Sequence, residues 1–377
     1  MKTDSSHCAF LQTHCARSIK SASLPLFAIF ALEASTSKKS STDRLLKRFF
    51  TSFLISGILV FYAWLIFASA HVPLPTEKNP FLFYSNQTRQ DIKRTLCRAL
   101  SESSESIFLS VYGISDPQIV EILITKAGEN IPVSIEYDPS ASTNLKKILP
   151  KSIQLKGLKR QGLMHKKIAV IDHSQVFLGS ANFTTSSLRH HANLLLGLYS
   201  PSLATFLEYP TAQSFVFQIQ DQKGEIFLLP DPDQLSKTRL LEAINQAKQS
   251  IRVAMFTLTH PEVTRGLIEA KKRGVDVAIS IDYYTAKGAS RKALLSMAKE
   301  GVKIYLSQGR ELLHHKWAIF DSSILVTGSA NWTKAAFSKN HDFLLFLFDL
   351  NQKQRDYLKK LWTIIECESV EHNPNAW

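Results

Sequence analysis

The sequence predicts an α/β protein: two homologous layered halves forming a pseudo-dimer, preceded by one N-terminal transmembrane helix. Three observations predict it. The stretch "HKKIAVIDHSQVFLGSAN" at 165–182 returns 149 residues later as "HHKWAIFDSSILVTGSAN" at 314–331, agreeing without a gap at nine of eighteen positions. Upstream, "SIFLSVYGISDPQIVEIL" at 106–123 lies over "SIRVAMFTLTHPEVTRGL" at 250–267, so the repeat is a whole unit. Residues 49–70, "FFTSFLISGILVFYAWLIFASA", form a charge-free run of twenty-two positions.

The chain opens with a Ser-rich polar tail, residues 1–43, whose composition is that of a disordered cytoplasmic segment. Residues 44–70 follow as a membrane segment, because about 20 apolar residues suffice for a helix to cross a bilayer core. Lys38, Lys39, Arg44, Lys47 and Arg48 precede the run and place the N-terminus in the cytoplasm, with everything after residue 70 outside it. Ala68-Ser69-Ala70 also fits a signal-peptidase site, so a cleaved signal peptide competes with a permanent anchor. The length of the run and the 48 residues before it favour the anchor.

The chain has 377 residues, 45% of them hydrophobic, which is enough for two ordinary domains. Its formal charge of +13 favours an anionic partner: nucleic acid, a membrane surface or a phosphorylated molecule. The first 48 residues hold +5 of that surplus, leaving +8 for the rest. Cys8, Cys15, Cys97 and Cys367 show no zinc-site spacing, while a Cys97 to Cys367 disulfide stays open.

The two halves are expected at 71–215 and 216–377, joined around 205–230, where "DQKGEIFLLPDPDQ" supplies turn residues. Each begins with a helix-like stretch, "TRQDIKRTLCRALSES" or "KTRLLEAINQAKQS", then a short apolar strand and a second helix. A strand ending in acid and aromatic residues comes next, "VSIEYD" or "VAISIDYY", then a further helical segment, the repeated motif and a last apolar strand. Strands alternating with helices imply a layered α/β fold, with antiparallel pairing where the motif doubles back.

Within the motif, strand periodicity points His165 and Lys167 to one face, and likewise His314 and Lys316. Asp172 and Asp321 stand seven positions past their histidines, an odd offset that turns them away from an anionic substrate and into structural positions. The repeated motif thus supplies the candidate catalytic set His165, Lys167, Asp172, His314, Lys316 and Asp321, with the two aspartates as its structural members. Gly179 and Gly328 permit a tight turn, after which Ser180, Asn182, Ser329 and Asn331 offer neutral donors for phosphate. Two such units brought together form a phosphate site, in which one imidazole attacks phosphorus and the other protonates the departing oxygen. Half a site lies in each copy. The spacing to Lys316 and Asp321 selects His314 over His315, and His173, His190, His191, His260 and His341 have no matched counterpart. No metal or other cofactor is called for by this set.

HxKxxxxD followed by GSxN, twice in one chain, resembles the phospholipase D superfamily over about residues 80–365. The resemblance implies two halves of an α/β/α sandwich meeting at one site, and phosphodiester cleavage without a metal. It also implies that His165 is the nucleophile and His314 the general acid, with Lys167, Lys316, Asn182 and Asn331 holding phosphate. The family pattern continues to a carboxylate that orients the imidazole. Asp342 stands there in the second half, eleven residues after Asn331, but the first half has Asn193 eleven after Asn182. The two histidines are thus expected to be inequivalent. Hydrolysis of glycerophospholipid head groups, or their transfer, is the favoured function, with the membrane held through residues 49–70 and both half-sites in one monomer. The alternatives are a membrane-tethered nuclease acting on DNA or RNA, supported by basic runs such as "KGLKR" at 156–160, a cardiolipin-synthase-like transferase, and a catalytically silent scaffold.

Overall fold

The computed structural model describes residues 41–70, 72–158, 162–309 and 311–372, and the chain divides into two units, at His71 and Val72. Residues 1–40 of the expected tail, Cys8, Cys15, the start of the chain after a cleavage at Ala70, and part of the basic run at 156–160 lie outside the described residues.

The first unit contributes one helix, Ser41–Ala70. It takes in the last three residues assigned to the disordered tail, so order begins earlier than composition implied. Every side chain from Leu46 to Trp64 is exposed, and that span is long and apolar enough to cross a membrane. An all-round apolar helix of this length is unfavourable in water and stabilised in hydrocarbon.

In the second unit, the first half supplies strands β1 (Phe81–Tyr84), β2 (Ile107–Val111), β3 (Val133–Tyr137), β4 (Gln154–Gly157), β5 (Lys167–Ile171), β6 (Gln175–Gly179), β7 (His191–Ala192) and β8 (Leu195–Tyr199). The second half supplies β9 (Ser214–Ile219), β10 (Gln222–Leu228), β11 (Ser250–Met255), β12 (Asp276–Ile281), β13 (Lys303–Ser307), β14 (Leu312–Leu313), β15 (Lys316–Phe320), β16 (Ile324–Gly328), β17 (Phe343–Leu347) and β18 (Ser369–Glu371). The first sheet runs β1-β8-β6-β5-β2-β3-β4 and the second β18-β13-β12-β11-β15-β16-β17-β10-β9. The segment β8-β6-β5-β2-β3-β4 therefore has its counterpart in β17-β16-β15-β11-β12-β13. In each, three strands are parallel and the motif strands join antiparallel.

Both faces of these sheets are covered, and the period-two alternation of the strands sorts side chains between two cores. Ile168 and Val170 of β5 face a cluster shared with Trp317, Leu325 and Leu345 of the second half. Ala169 and Ile171 face the other way, into a core with Leu96 and Ile119 from the helices Ile92–Ser101 and Pro117–Gly128. The second sheet repeats this with the helices Leu235–Gln246 and Pro261–Lys272. On the inner side, the helix Pro201–Glu208 contacts β5 and β6, and Gln352–Cys367 contacts β11. Each half is thus an α/β/α layer, and the two share one buried seam.

One expectation changes and one open alternative closes. The joint at 205–230 is no linker: β9 and β10 form a hairpin that extends the second sheet, and the expected 215/216 boundary falls inside β9. Cys97 is free and buried in the first-half core, so it does not pair with Cys367.

Candidate active site

The motif begins just before a strand in each half. Lys167 and Lys316 are the first residues of β5 and β15, and each ammonium donates back to the carbonyl of its own histidine, His165 or His314. Two consecutive residues with positive φ, Asp172-His173 and Asp321-Ser322, turn each motif hairpin, which is the conformation that the right-handed twist of paired strands demands.

Asp172 and Asp321 sit at those hairpin tips and not beside the histidines. The Asp172 carboxylate accepts the backbone amides of Ser104, Glu105 and Ser106 at 2.8–3.1 Å, and Asp321 accepts those of Lys248, Gln249 and Ser250 at 2.7–2.9 Å. Burial would raise both carboxyls, but the amides outweigh it and hold them below the usual range. They are therefore no part of the catalytic machinery and take the structural role their odd offset implied, anchoring each motif hairpin to the turn that precedes β2 or β11.

The histidines are placed by the opposite half. The His165 amide donates to the His341 carbonyl at 2.8 Å, and the His314 amide donates to the Ala192 carbonyl at 2.9 Å. The Asp138 carboxylate steadies the preceding residue by accepting the Met164 amide at 3.1 Å, and Asp282 accepts that of Leu313. The imidazoles cross over as well. His165 Nδ1 lies 2.7 Å from Asp342 Oδ1, while His314 Nδ1 lies 3.0 Å from Asn193 Oδ1. Each orienting side chain thus belongs to the half that does not carry its histidine.

Ser180 and Ser329, expected on phosphate, are committed elsewhere. Their hydroxyls donate to Asn193 Oδ1 at 2.8 Å and to Asp342 Oδ1 at 2.6 Å and accept the amides of Leu194 and Phe343. A hydroxyl has one hydrogen to give, so these serines hold the orienting groups instead. Asn182 and Asn331 differ: each side-chain oxygen is buried without a hydrogen-bond partner, the kind of orphaned polar atom that a ligand site leaves open.

Burial drives the Lys167 ammonium down to about 7, and burial, then Lys167, lowers Lys316 well below its ordinary value. An anion bound beside these lysines would favour their charged form. Burial and Lys167 lower His165, against the pull of Asp342. His314 is lowered further by burial, Lys316, Lys167 and His165, with no carboxylate opposing. His315 points elsewhere, its Nε2 2.6 Å from the Gln87 amide oxygen.

Three site residues escaped sequence reading. Tyr112 and Phe256 stand in equivalent positions, their rings 5.2 and 5.1 Å from those of His165 and His314, and each carries its lysine ammonium 5.3 Å above it. The signal was present, since both aromatics close the aligned strands "FLSVY" and "RVAMF". His191, set aside for want of a counterpart, packs its ring 5.6 Å from that of His314. Among the described residues no group of three or more His, Cys, Asp or Glu could hold a metal ion.

The fold and site define a duplicated α/β protein whose one catalytic centre is assembled from two half-sites. The model described as cardiolipin synthase, PLD-like domain, matches residues 96–209 and 240–362. The chain belongs to this family, within the phospholipase D superfamily. It is 33% identical over 143 residues to a mitochondrial cardiolipin hydrolase of Canis lupus familiaris, covering 38% of this chain and 54% of that protein. It is 22% identical over 326 residues to the probable cardiolipin synthase YwiE of Bacillus subtilis, covering 74% of this chain and 65% of that one. The chain spans about half the length of the cardiolipin hydrolases of dog and mouse. In structure it is similar to the phosphatidylserine synthase of Haemophilus influenzae, with a TM-score of 0.65 at 12% identity, over 80% of this chain and 89% of that one.

Proposed function

We propose that the chain is a phospholipase D-type phosphodiesterase that releases or exchanges the head group of glycerophospholipids through a phosphohistidine on His165. The observation that carries this reading is the crossed pair of contacts, Asp342 on His165 and Asn193 on His314, beside two buried lysines. A nucleophilic imidazole gains positive charge as its Nε2 bonds to phosphorus. The Asp342 carboxylate at Nδ1 fixes the tautomer and stabilises that charge, which an amide does only weakly.

His165 Nε2 attacks phosphorus, the bond to the head-group oxygen breaks, and protonated His314 gives that oxygen its proton. Neutral His314 then takes a proton from water or an acceptor alcohol, the new oxygen bonds to phosphorus, and the P–N bond returns its electron pair to His165. Lys167, Lys316, Asn182 and Asn331 hold the phosphate oxygens. The membrane-crossing span at 46–64 keeps the site near lipid, with the N-terminus cytoplasmic, the catalytic unit on the other side and both half-sites in one monomer.

The test is full-length protein in labelled phospholipid vesicles, with chelator and with single-stranded DNA alongside. His165→Ala or His314→Ala should lower kcat on lipid by about a thousandfold, and label should accumulate on His165 in the His314→Ala protein. DNA turnover without lipid turnover would replace this reading with the nuclease.

A further inference from the structure

A buried carboxylate of the first half is missing from the second. Asp116 heads the helix Pro117–Gly128, where it accepts the amides of Gln118 and Ile119 at 3.2 and 3.4 Å, the Thr185 hydroxyl at 2.8 Å and the Lys93 ammonium at 2.9 Å. His260 heads the matching helix, Pro261–Lys272. The backbone is the same in both places: the Asp116 amide donates to the Phe183 carbonyl at 3.1 Å, and the His260 amide to the Trp332 carbonyl at 2.9 Å. Lys237 stands as far before His260 as Lys93 before Asp116, and Lys334 follows Trp332 as Thr185 follows Phe183. The donors thus recur, with a second ammonium in place of the hydroxyl, but an imidazole replaces their acceptor.

That replacement leaves the place open. His260 makes no cap hydrogen bond, so its side chain satisfies none of the first-turn amides of its helix. It is 5% exposed, and its Nδ1 has no hydrogen-bond partner. A cavity of about 540 Å³ lies against it, with Lys237, Lys334 and Phe337 in the wall. Two carboxylates also line this cavity and are engaged elsewhere. Asp231 accepts the Ser236 amide at 2.7 Å, and Glu262, its side chain 45% exposed, pairs with Lys237 at 2.9 Å. Burial lowers the His260 imidazole, Glu262 opposes that, and Lys237 and Lys334 add to it. A solvent-exposed ion pair is weak, so an entering anion takes Lys237 from Glu262 at little cost and favours a proton on His260. Two ammoniums, an imidazole and the amides of a helix N-terminus suit a phosphate group.

We infer that the second half holds a phosphate-binding site formed by Lys237, His260 and Lys334, separate from the candidate catalytic centre and occupying the place that the Asp116 carboxylate fills in the first half. Its occupant would sit behind the loop that carries Asn331, because the carbonyl bonded to the His260 amide belongs to the next residue. A soluble phosphate monoester and a lipid head group present the same chemistry to it.

The experiment is equilibrium dialysis of labelled inorganic phosphate against the full chain in a neutral detergent, counting phosphates bound per chain. His260→Asp supplies the acceptor from within, as Asp116 does, so this variant should stay folded and bind one phosphate fewer than the wild type. Lys334→Thr restores the residue type of Thr185 at an exposed position and should weaken the same site by about tenfold, the direction expected on removing one partner of a charge pair. Neither side chain touches His165 or His314, so lipid turnover without added phosphate should match that of the wild type. Displacement of the label by glycerol phosphate would assign the site to soluble monoesters, and displacement only by micelles containing phosphatidic acid would assign it to lipid. A count and affinity that both substitutions leave unchanged overturn the site, while lipid turnover tests the proposed function separately.

Discussion

Asn193 and Asp342 occupy equivalent places, yet one is neutral and the other charged, and this single difference sets the two histidines apart. Asp342→Asn would keep the contact to His165 but remove the charge that offsets a phosphorylated ring and leave the tautomer open. We expect kcat to fall by about a thousandfold with little loss of folded protein, measured by steady-state lipid turnover beside thermal unfolding. The pH profile follows from the same pair. His165 must be neutral to attack and His314 protonated to donate, and both are pulled below 6.5, His314 further. Because His314 lies below His165, kcat/KM should rise up to the His314 value and fall above the His165 value, so the optimum should lie on the acid side of neutrality. Asn193→Asp places a carboxylate on His314 and raises its pKa, so the rising limb should move to higher pH by about one unit and the maximum should increase. A rising limb that stays in place would remove His314 from the acid role.

At the scale of elements, the motif hairpins depend on the two aspartates that the repeat displays most plainly. Asp172→Ala or Asp321→Ala breaks three amide contacts and puts alanine at positive φ, costing about 2 kcal/mol in urea unfolding at pH 7 while the folded fraction keeps its kcat. Both carboxyls lie below their unfolded value, so their contribution is complete above that value and is lost as pH falls through the folded one; the gap between wild type and variants should narrow as pH falls below the usual carboxylate range, leaving the strain of alanine at positive φ. Gly328 is as tightly placed, since a Cβ there would meet the Phe343 carbonyl oxygen at 2.2 Å. Gly328→Ala should push β17 from β16 and carry Asp342 off His165. Much of this was legible: duplication, strand period and the spacing from His to Lys located β5, β6, β15 and β16. The destinations of Ser180 and Ser329 were not, because GSxN spacing shows that a turn carries a hydroxyl and not which acceptor the folded chain brings to it. The β9 and β10 hairpin was missed for a like reason. Its turn residues resemble those of a linker, and only pairing with β17 distinguishes the two.

For the whole molecule, the crossed contacts mean that neither half completes a histidine by itself: His165 takes its carboxylate from residue 342 and His314 its amide from residue 193. Duplication accounts for the symmetry of the site, and fusion into one chain permits its asymmetry, since the two orienting positions can then diverge independently. A symmetric dimer of identical halves must carry the same residue at both. One chain therefore holds one complete site, and a second chain should add nothing to it. Mixing His165→Ala protein with His314→Ala protein should give no more turnover than either alone, because each chain retains one good half-site that is locked against a defective partner by the shared core of Ile168, Trp317 and Leu345. Recovery towards a quarter of wild-type activity would mean that half-sites pair between chains, and the seam between the sheets would then be an exchangeable interface instead of a fixed one. The mixture is best made before refolding as well as after. A gain confined to the refolded sample would place the exchange in folding, while a gain in both would place it in the native protein.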